Sequence, residues 1–487
     1  MQQAIVAGAA DLWPIIVSVA YVIGAVWVTV DAVLRKRHVP AIIGWVGLAW
    51  LVPIAGALAY FLFGINRIRR SATAMHRRVE SVAHGDACLP RLGAIQREVL
   101  DARYPGFAGL DRLGERVTRN PLLDGNRVEP LQDGDAAFPA MLASIDAART
   151  SVTLATYIFD NDHAGRAFQD ALVRARGRGV EVRVLIDDVG ARYTRPTMIR
   201  VLHAAGVPVA AFLPTRIPRL FQYANLRNHR KILVVDGRVG FTGGINIRAG
   251  HWLARRPAHP VRCLHFRVDG PVVADMQRAF AIDWAFSTGE RLGGERWFSP
   301  AEGCGSVAAR GVPEGPDADL DNLLQIIVGA LSVATRRARI VTPYFLPDSV
   351  LLRAVQVAAL RGVEVDIVLP GCSNVPLMDW AMMPQLPELI EKGCRIHLAP
   401  PPFDHTKLFV VDGTWSLIGS TNWDARSLRL NFEYNLECYD RDLAARLDAI
   451  IDAKLANARP LGLAELESRA FPARLRDGLA RLLSPYL

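Results

Sequence analysis

Asn228-His229-Arg230-Lys231-Ile232-Leu233-Val234-Val235-Asp236, closed by Gly243-Gly244-Ile245-Asn246, is the stretch that decides how this chain folds. Side chains alternate faces along an extended strand, so His229 and Lys231 point the same way, and the apolar run Ile232 to Val235 reads as a buried strand. The phrase returns as His405-Thr406-Lys407-Leu408-Phe409-Val410-Val411-Asp412 with Gly419-Ser420-Thr421-Asn422, every interval identical. A single His-x-Lys triplet is an ordinary solvated edge. Two copies that agree from histidine to asparagine over 18 positions are a repeat.

The repeat extends outward. A strand at Ser151 to Phe159, a helix across Gly165 to Arg176 and a strand at Val180 to Ile186 are answered by Arg339 to Phe345, Val350 to Leu360 and Arg361 to Leu369. Arg178-Gly-Val-Glu-Val and Arg361-Gly-Val-Glu-Val are identical, offset by 183 residues, against 176 at the histidines. Strand, helix, strand in that order implies a parallel crossover, and the near-constant offset implies a duplicated α/β unit. Two similar halves packed about a pseudo-twofold axis would bring the two His/Lys strands across one cleft.

Two imidazoles on one cleft supply a nucleophile and a general acid, provided one is neutral while the other is protonated. Lys231, Lys407, Asn246 and Asn422 supply donors for the non-bridging oxygens of a phosphate as phosphorus becomes five-coordinate. The carboxylates Asp236 and Asp412 come one per copy at strand ends, not in a ligand cluster, so no metal or other cofactor is expected. The chemistry matched is displacement at a phosphodiester through a covalent phosphohistidine. Asp236 and Asp412, each followed by glycine, are equally readable as turn formers. Gly243, Gly244, Gly419 and Ser420 are either tight turns or places where backbone passes close to the phosphate.

The 487 residues suit a membrane segment with two or three domain-sized units, divided as 1–70, 71–125, 126–300 and 301–487. The net charge of +9 suits a polyanion, either nucleic acid or an anionic lipid surface. Six cysteines at 88, 263, 304, 372, 394 and 438 form no C-x-x-C pair, read as reduced thiols and favour a cytoplasmic body. Apolar runs from Leu12 to Val33 and Val39 to Phe63 flank Arg35-Lys36-Arg37-His38, and each is long enough for a core of roughly 30 Å. Trp13, Trp45, Trp50 and Tyr60 fit the interfaces of a two-span hairpin. Arg67, Arg69, Arg70, Arg77 and Arg78 outnumber the three Lys/Arg of the loop, which leans toward a cytoplasmic catalytic portion. The segment 71–125, punctuated by Pro90, Pro105 and Pro121, reads as a linker with one or two helices. Pro214 to Asn228 interleaves Arg216, Arg219 and Arg227 with Ile217, Leu220, Phe221 and Tyr223, as a membrane-dipping or a partly buried loop would. The final run from Pro472 places Leu475, Leu479, Leu482 and Leu483 on one helical face, for which core docking is expected ahead of membrane contact.

These motifs resemble the phospholipase D superfamily, in which two His/Lys/Asp copies form one active site. Narrower phrases are similar to the bacterial cardiolipin synthases: Asn225 to Lys231, Thr342 to Asp348, Gly419 to Ser427, Asn431 to Asn435 and the terminal Leu482 to Leu487, with Trp50, Pro53, Gly56, Tyr60 and Gly64 in the membrane segment. The resemblance implies two phospholipase D-like α/β sandwich domains behind a transmembrane hairpin, in a multi-pass protein of the bacterial inner membrane. It implies transfer of a phosphatidyl group between two phosphatidylglycerol molecules, one of His229 and His405 attacking while the other protonates the departing glycerol. Hydrolysis, or another phospholipid as donor, is the alternative; phosphatidylglycerol and other anionic phospholipids are the expected partners, a membrane anchor argues against nucleic acid, and oligomeric state is not legible. The resemblance also places Glu433 behind His405, and Cys263 of Val261-Arg262-Cys263-Leu264-His265 where a carboxylate is expected behind His229. His229 is then the weaker-supported ring and His405, backed by Glu433, the nucleophile.

Overall fold

The computed structural model describes residues 2–35, 39–63, 94–214, 226–300, 302–315 and 321–484. Arg216 to Tyr223 of the basic-aromatic loop, the arginines from Arg67 to Arg78, Cys88 and the Pro485 to Leu487 end lie outside the described residues. The chain forms two compact units, the N-terminal helices and an α/β body.

In the N-terminal unit, Gln2–Arg35 is one helix, and Trp13–Arg35 is the only described helix long and apolar enough to cross a membrane. The expected second span is not one continuous helix. Val39–Leu51 and Ala55–Phe63 are separate helices of 13 and 9 residues. They are broken at Pro53 and at Ile54, whose φ is 59°. The chain folds back there: a Cβ on Gly56 would sit 2.2 Å from the Leu48 carbonyl oxygen. Tyr60 returns to donate to Asp31 Oδ2 at 2.7 Å, and its ring lies 5.2 Å from Trp45.

The body is built on one 16-stranded sheet. In the first half Ser151–Thr156, Glu181–Asp187 and Val209–Phe212 run parallel, and the hairpin Ile232–Val235, Val239–Gly243 pairs antiparallel to Ser151–Thr156. Arg337–Val341, Glu364–Pro370 and Arg395–Ala399, with the hairpin Leu408–Val411, Trp415–Gly419, repeat that arrangement in the second half. The crossover helices His163–Gly177 and Ser349–Leu360 start where expected because Asp162 and Asp348 accept the N–H groups of their first turns. The sheet does not stop between halves. Leu123–Gln132 pairs with both Leu264–Asp269 and Val307–Glu314, and Val307–Glu314 pairs with Asn431–Tyr439. One apolar core accordingly holds Ile232 and Val234 together with Leu408, Val410 and Leu436, so the halves expected as 126–300 and 301–487 share an interior.

The linker expectation fails over its second part. Helices Arg97–Arg103 and Ala108–Thr118 put Leu100, Tyr104, Phe107 and Leu110 into the core around Ile326, Ile327 and Leu331. The buried Arg310 fixes them, meeting Asp111 at 2.5 Å and Glu437 at 3.1 Å. Their low apolar content hid this, since only one stripe of each short helix is buried.

Candidate active site

Each histidine is placed by the opposite half. Just before the motif strand, Arg227–Asn228 pairs with Asn431–Phe432, and the His229 N–H donates to the Phe432 carbonyl at 2.8 Å. Phe403–Asp404 pairs in the same parallel sense with Val261–Arg262, and the His405 N–H donates to the Arg262 carbonyl at 2.7 Å. The motif strands stay in their own half while the loops behind the rings are exchanged. The two imidazoles therefore face each other, centroids 6.5 Å apart and nearly perpendicular.

The exchange reverses the expected support. Glu433 stands behind His229, its two oxygens 2.9 and 3.0 Å from Nδ1, and not behind His405. Cys263 stands behind His405, Sγ 4.0 Å from Nδ1, which lies 3.1 Å from the Gly244 carbonyl oxygen. Among the described residues His405, not His229, is the ring without a carboxylate at Nδ1. The sequence register between motif and carboxylate was right; the assumption that each half serves its own histidine was wrong. Both Nδ1 atoms face acceptors, so Nδ1 carries the proton and Nε2 is the reactive nitrogen on both rings.

Around this pair, Ser420 donates to Glu433 at 2.5 Å and Asn431 does so at 3.3 Å. Lys231 and Lys407 each donate to the carbonyl of their own histidine at 2.7 Å. Asn246 and Asn422 line the cavity of about 340 Å³ onto which both imidazoles open. Gly243, Gly244 and Gly419 permit close packing behind the rings: a Cβ on Gly244 would lie 2.5 Å from Cys263 Sγ and 2.9 Å from the His405 carbonyl oxygen.

Asp236 and Asp412 do not reach the cavity. Asp236 accepts the N–H groups of Arg149, Thr150 and Ser151 and the Thr150 hydroxyl. Asp412 does the same for Thr335, Arg336 and Arg337 and the Thr335 hydroxyl. Each takes the positive-φ position of a hairpin turn, φ 54° and 51°, and ties it to the start of the neighbouring strand. Of the two readings, the turn former is the one the geometry supports. Tyr157 and Tyr344 were read only as strand residues, yet their rings lie 5.1 Å from His229 and 6.3 Å from His405. Their matching places at the ends of equivalent strands were the available signal. His251, 6.4 Å from His405, had no such signal because it has no counterpart in the other half.

Burial dominates the electrostatics. It pushes His229 down to about 4 against the pull of Glu433, and His405, also facing both lysines and lacking a carboxylate, well below the ordinary histidine range. Burial lowers Lys231 to about 8 and Lys407 to about 7. It raises the Cys263 thiol to about 12, so at neutral pH that group is an uncharged thiol. Burial opposes ionisation of Glu433, but His229, Lys231 and the Ser420 hydroxyl outweigh it and hold this carboxyl below its usual range. The site holds one Glu–His dyad, one carbonyl-backed neutral imidazole and two ammonium groups that titrate near neutrality.

Residues 141–284 and 327–455 match the family described as "Cardiolipin synthase, PLD-like domain", and residues 23–64 match "Phospholipase_D-nuclease N-terminal". The cardiolipin synthase of Geobacillus thermodenitrificans is 32% identical over 465 residues, covering 93% of this chain and 90% of that protein. The major cardiolipin synthase ClsA of Bacillus subtilis is 29% identical over 484 residues, covering 97% and 99%. Among solved structures, phosphatidylserine synthase of Haemophilus influenzae Rd KW20 superposes with a TM-score of 0.62 at 16% identity, over 78% of this chain and 100% of that one, a likeness of fold.

Proposed function

The chain belongs to the phospholipase D-like cardiolipin synthase family, and from that membership and the facing histidines we propose that it is a membrane-bound phosphatidyltransferase making cardiolipin and glycerol from two molecules of phosphatidylglycerol. The observation that carries the mechanism is the unequal support of the two rings. The acid must be protonated when the nucleophile is neutral, and in one cavity the proton resides on the ring that a carboxylate stabilises. That ring is His229, with Glu433 behind it. His405, whose Nδ1–H points at the Gly244 carbonyl, keeps its Nε2 lone pair for attack.

His405 Nε2 forms a bond to phosphorus as the bond to the glycerol oxygen breaks, and His229 delivers its Nε2 proton to that oxygen. Neutral His229 then removes the proton of an acceptor hydroxyl on the second phosphatidylglycerol. The new P–O bond forms, the P–N bond breaks and His405 is regenerated. Lys231 and Lys407 each retain two N–H protons beyond the one given to a histidine carbonyl, and with Asn246 and Asn422 they hold the non-bridging oxygens. Other anionic phospholipids are candidate donors, and the catalytic body is assigned to the cytoplasmic side of a bacterial inner membrane.

The test is to incubate purified protein with phosphatidylglycerol, quench in base and map the phosphorylated histidine by mass spectrometry, with the lipid products measured in parallel. Cardiolipin with label on His405 is expected. Label on His229 alone overturns the assignment of roles, and phosphatidic acid without cardiolipin overturns the transferase reading in favour of hydrolysis.

A further inference from the structure

The C-terminal helix Phe471–Arg481 does not dock through its leucines, contrary to expectation. It is held by its other face. Asp477 is buried between Arg469 at 2.6 Å and Arg476 at 2.8 Å, Ala480 packs with Leu346, Met378 and Ala381, and the Arg476 guanidinium lies 4.5 Å from the Trp380 ring. The outward stripe remains open: Phe471 is 74% exposed, Leu475 52%, Leu479 57%, Leu482 73% and Leu483 46%. Spacings of four and four residues put Phe471, Leu475 and Leu479 on one helical face, and Leu482 and Leu483, three and four residues after Leu479, continue it past the helix end. Arg474 and Arg481 are also on this helix, and no ion pair of either is present among the described residues.

We propose that this helix is an interfacial docking element that lays its Phe471–Leu483 stripe into an anionic bilayer surface and so presents the cavity to its lipid substrate. Four observations favour a bilayer over another occupant. The helix packs on Pro376–Met382, and Met378 together with Val375 lines the catalytic cavity, so the stripe lies on the outer face of a helix one layer behind the cavity wall. Apolar residues beside unpaired arginines suit the boundary between acyl chains and anionic headgroups. The same chain carries a membrane-spanning helix, Trp13–Arg35, so a bilayer is always at hand. The substrate class, resting on the function proposed above, must leave that bilayer to reach buried histidines.

The test uses full-length protein reconstituted into phosphatidylcholine vesicles, given either long-chain phosphatidylglycerol in the bilayer or a short-chain phosphatidylglycerol dissolved as monomers. The triple variant Leu475→Gln, Leu479→Gln, Leu482→Gln changes only exposed side chains. It is expected to lose about tenfold or more in kcat/KM on the bilayer substrate, with activity on the monomeric one unchanged. Equal losses on both substrates, or none on either, overturn the proposal. Loss accompanied by disappearance of a self-associated species assigns the stripe to a second copy of the chain, which also overturns it. Wild-type protein that releases phosphatidic acid without cardiolipin contradicts the proposed transferase activity, while a bilayer-selective loss in that release still supports the docking helix.

A separate observation concerns the N-terminal unit. The 13- and 9-residue helices rise about 20 and 14 Å, short of a core of roughly 30 Å. Residues along the hairpin meet the long helix in returning order: Trp50 donates to Thr29 at 3.0 Å, Ala57 lies against Gly24, and Tyr60 reaches Asp31. Most of the turn's N–H groups are accounted for internally: Pro53 has none, and those of Val52, Ala55 and Gly56 donate to Leu48, Pro53 and Val52. We infer that Val39 to Phe63 is a re-entrant hairpin in one leaflet, which leaves the start of the long helix and the catalytic body on opposite faces of the membrane. Topology reporters fused to the two ends of the full chain, one active only in the cytoplasm and one only outside it, should report opposite sides; the same side for both ends defeats the inference.

Discussion

Replacing Glu433 by Gln tests the exchanged support directly. The carboxylate is fully buried, meets His229 Nδ1 at 2.9 and 3.0 Å and is held by Ser420 at 2.5 Å. Glutamine keeps the shape and one acceptor but removes the charge that stabilises the imidazolium. A hydrogen bond to a charged group contributes about 1.5–3 kcal/mol, and the enclosed site favours the upper part of that range. A loss of about 2–3 kcal/mol of transition-state stabilisation lowers kcat roughly 30- to 150-fold. The assay is the initial rate of cardiolipin formation from phosphatidylglycerol across pH, with thermal unfolding checked alongside. Because Glu433 raises His229 and His229 must be protonated to act as the acid, its loss also moves the alkaline limb of the kcat/KM profile to lower pH. Turnover within about threefold of wild type would refute the dyad, since a charge this close and this buried cannot be removed from an acting general acid at so small a cost. The mirror variant, Cys263→Asp, puts a carboxylate behind His405. It should move the acid limb to higher pH, because His405 then keeps its proton when it is needed as a neutral nucleophile.

Asp412→Ala should lower the melting temperature, at a cost of about 2–4 kcal/mol, by orphaning three N–H groups and the Thr335 hydroxyl, while kcat of the folded fraction stays near wild type. Lost turnover with an unchanged melting temperature would restore the catalytic reading of that aspartate. Gly244→Ala is expected to cost both stability and activity, because its Cβ would press on Cys263 Sγ and on the His405 carbonyl; denaturant midpoint and turnover measured together check it. Stability should also fall between about pH 6.5 and 4. His229, His251 and His265 ordinarily titrate at 6.5 but are pushed by burial down to about 4, 3 and 3. The unfolded chain therefore binds more protons in that window, a slope of about 1.4 kcal/mol per pH unit for each histidine. Asp424, raised by burial to about 6, opposes one of them. A melting temperature flat from pH 7 to 4.5 would contradict the burial of these rings.

Periodicity and repetition are local properties, and what depends on them was legible without coordinates. Ile232–Val235 and Leu408–Val411 are strands because short apolar runs of branched residues bury on both faces of a sheet. The crossover helices begin at Asp162 and Asp348 because a carboxylate there caps the first turn. Identical spacing in both halves nominated His229, Lys231, Asn246, His405, Lys407 and Asn422 as one site, and His229, Asn246, His405 and Asn422 line one cavity. Asp236 and Asp412 share that spacing but are kept by the turn, and a motif alone does not separate a residue held for geometry from one held for chemistry.

Which half supports which ring was decided only by the tertiary structure, because it depends on two-residue strand pairs formed between segments about 140 to 200 residues apart. Such pairs leave no periodic trace, and the pseudo-twofold arrangement makes self-support and exchanged support look alike in one dimension. The same holds for Arg97–Thr118, which joins the second half through a buried guanidinium, and for the turn at Pro53 that folds an apolar run of spanning length back on itself. In each case hydrophobicity told the chain what to bury, and only packing chose the partner.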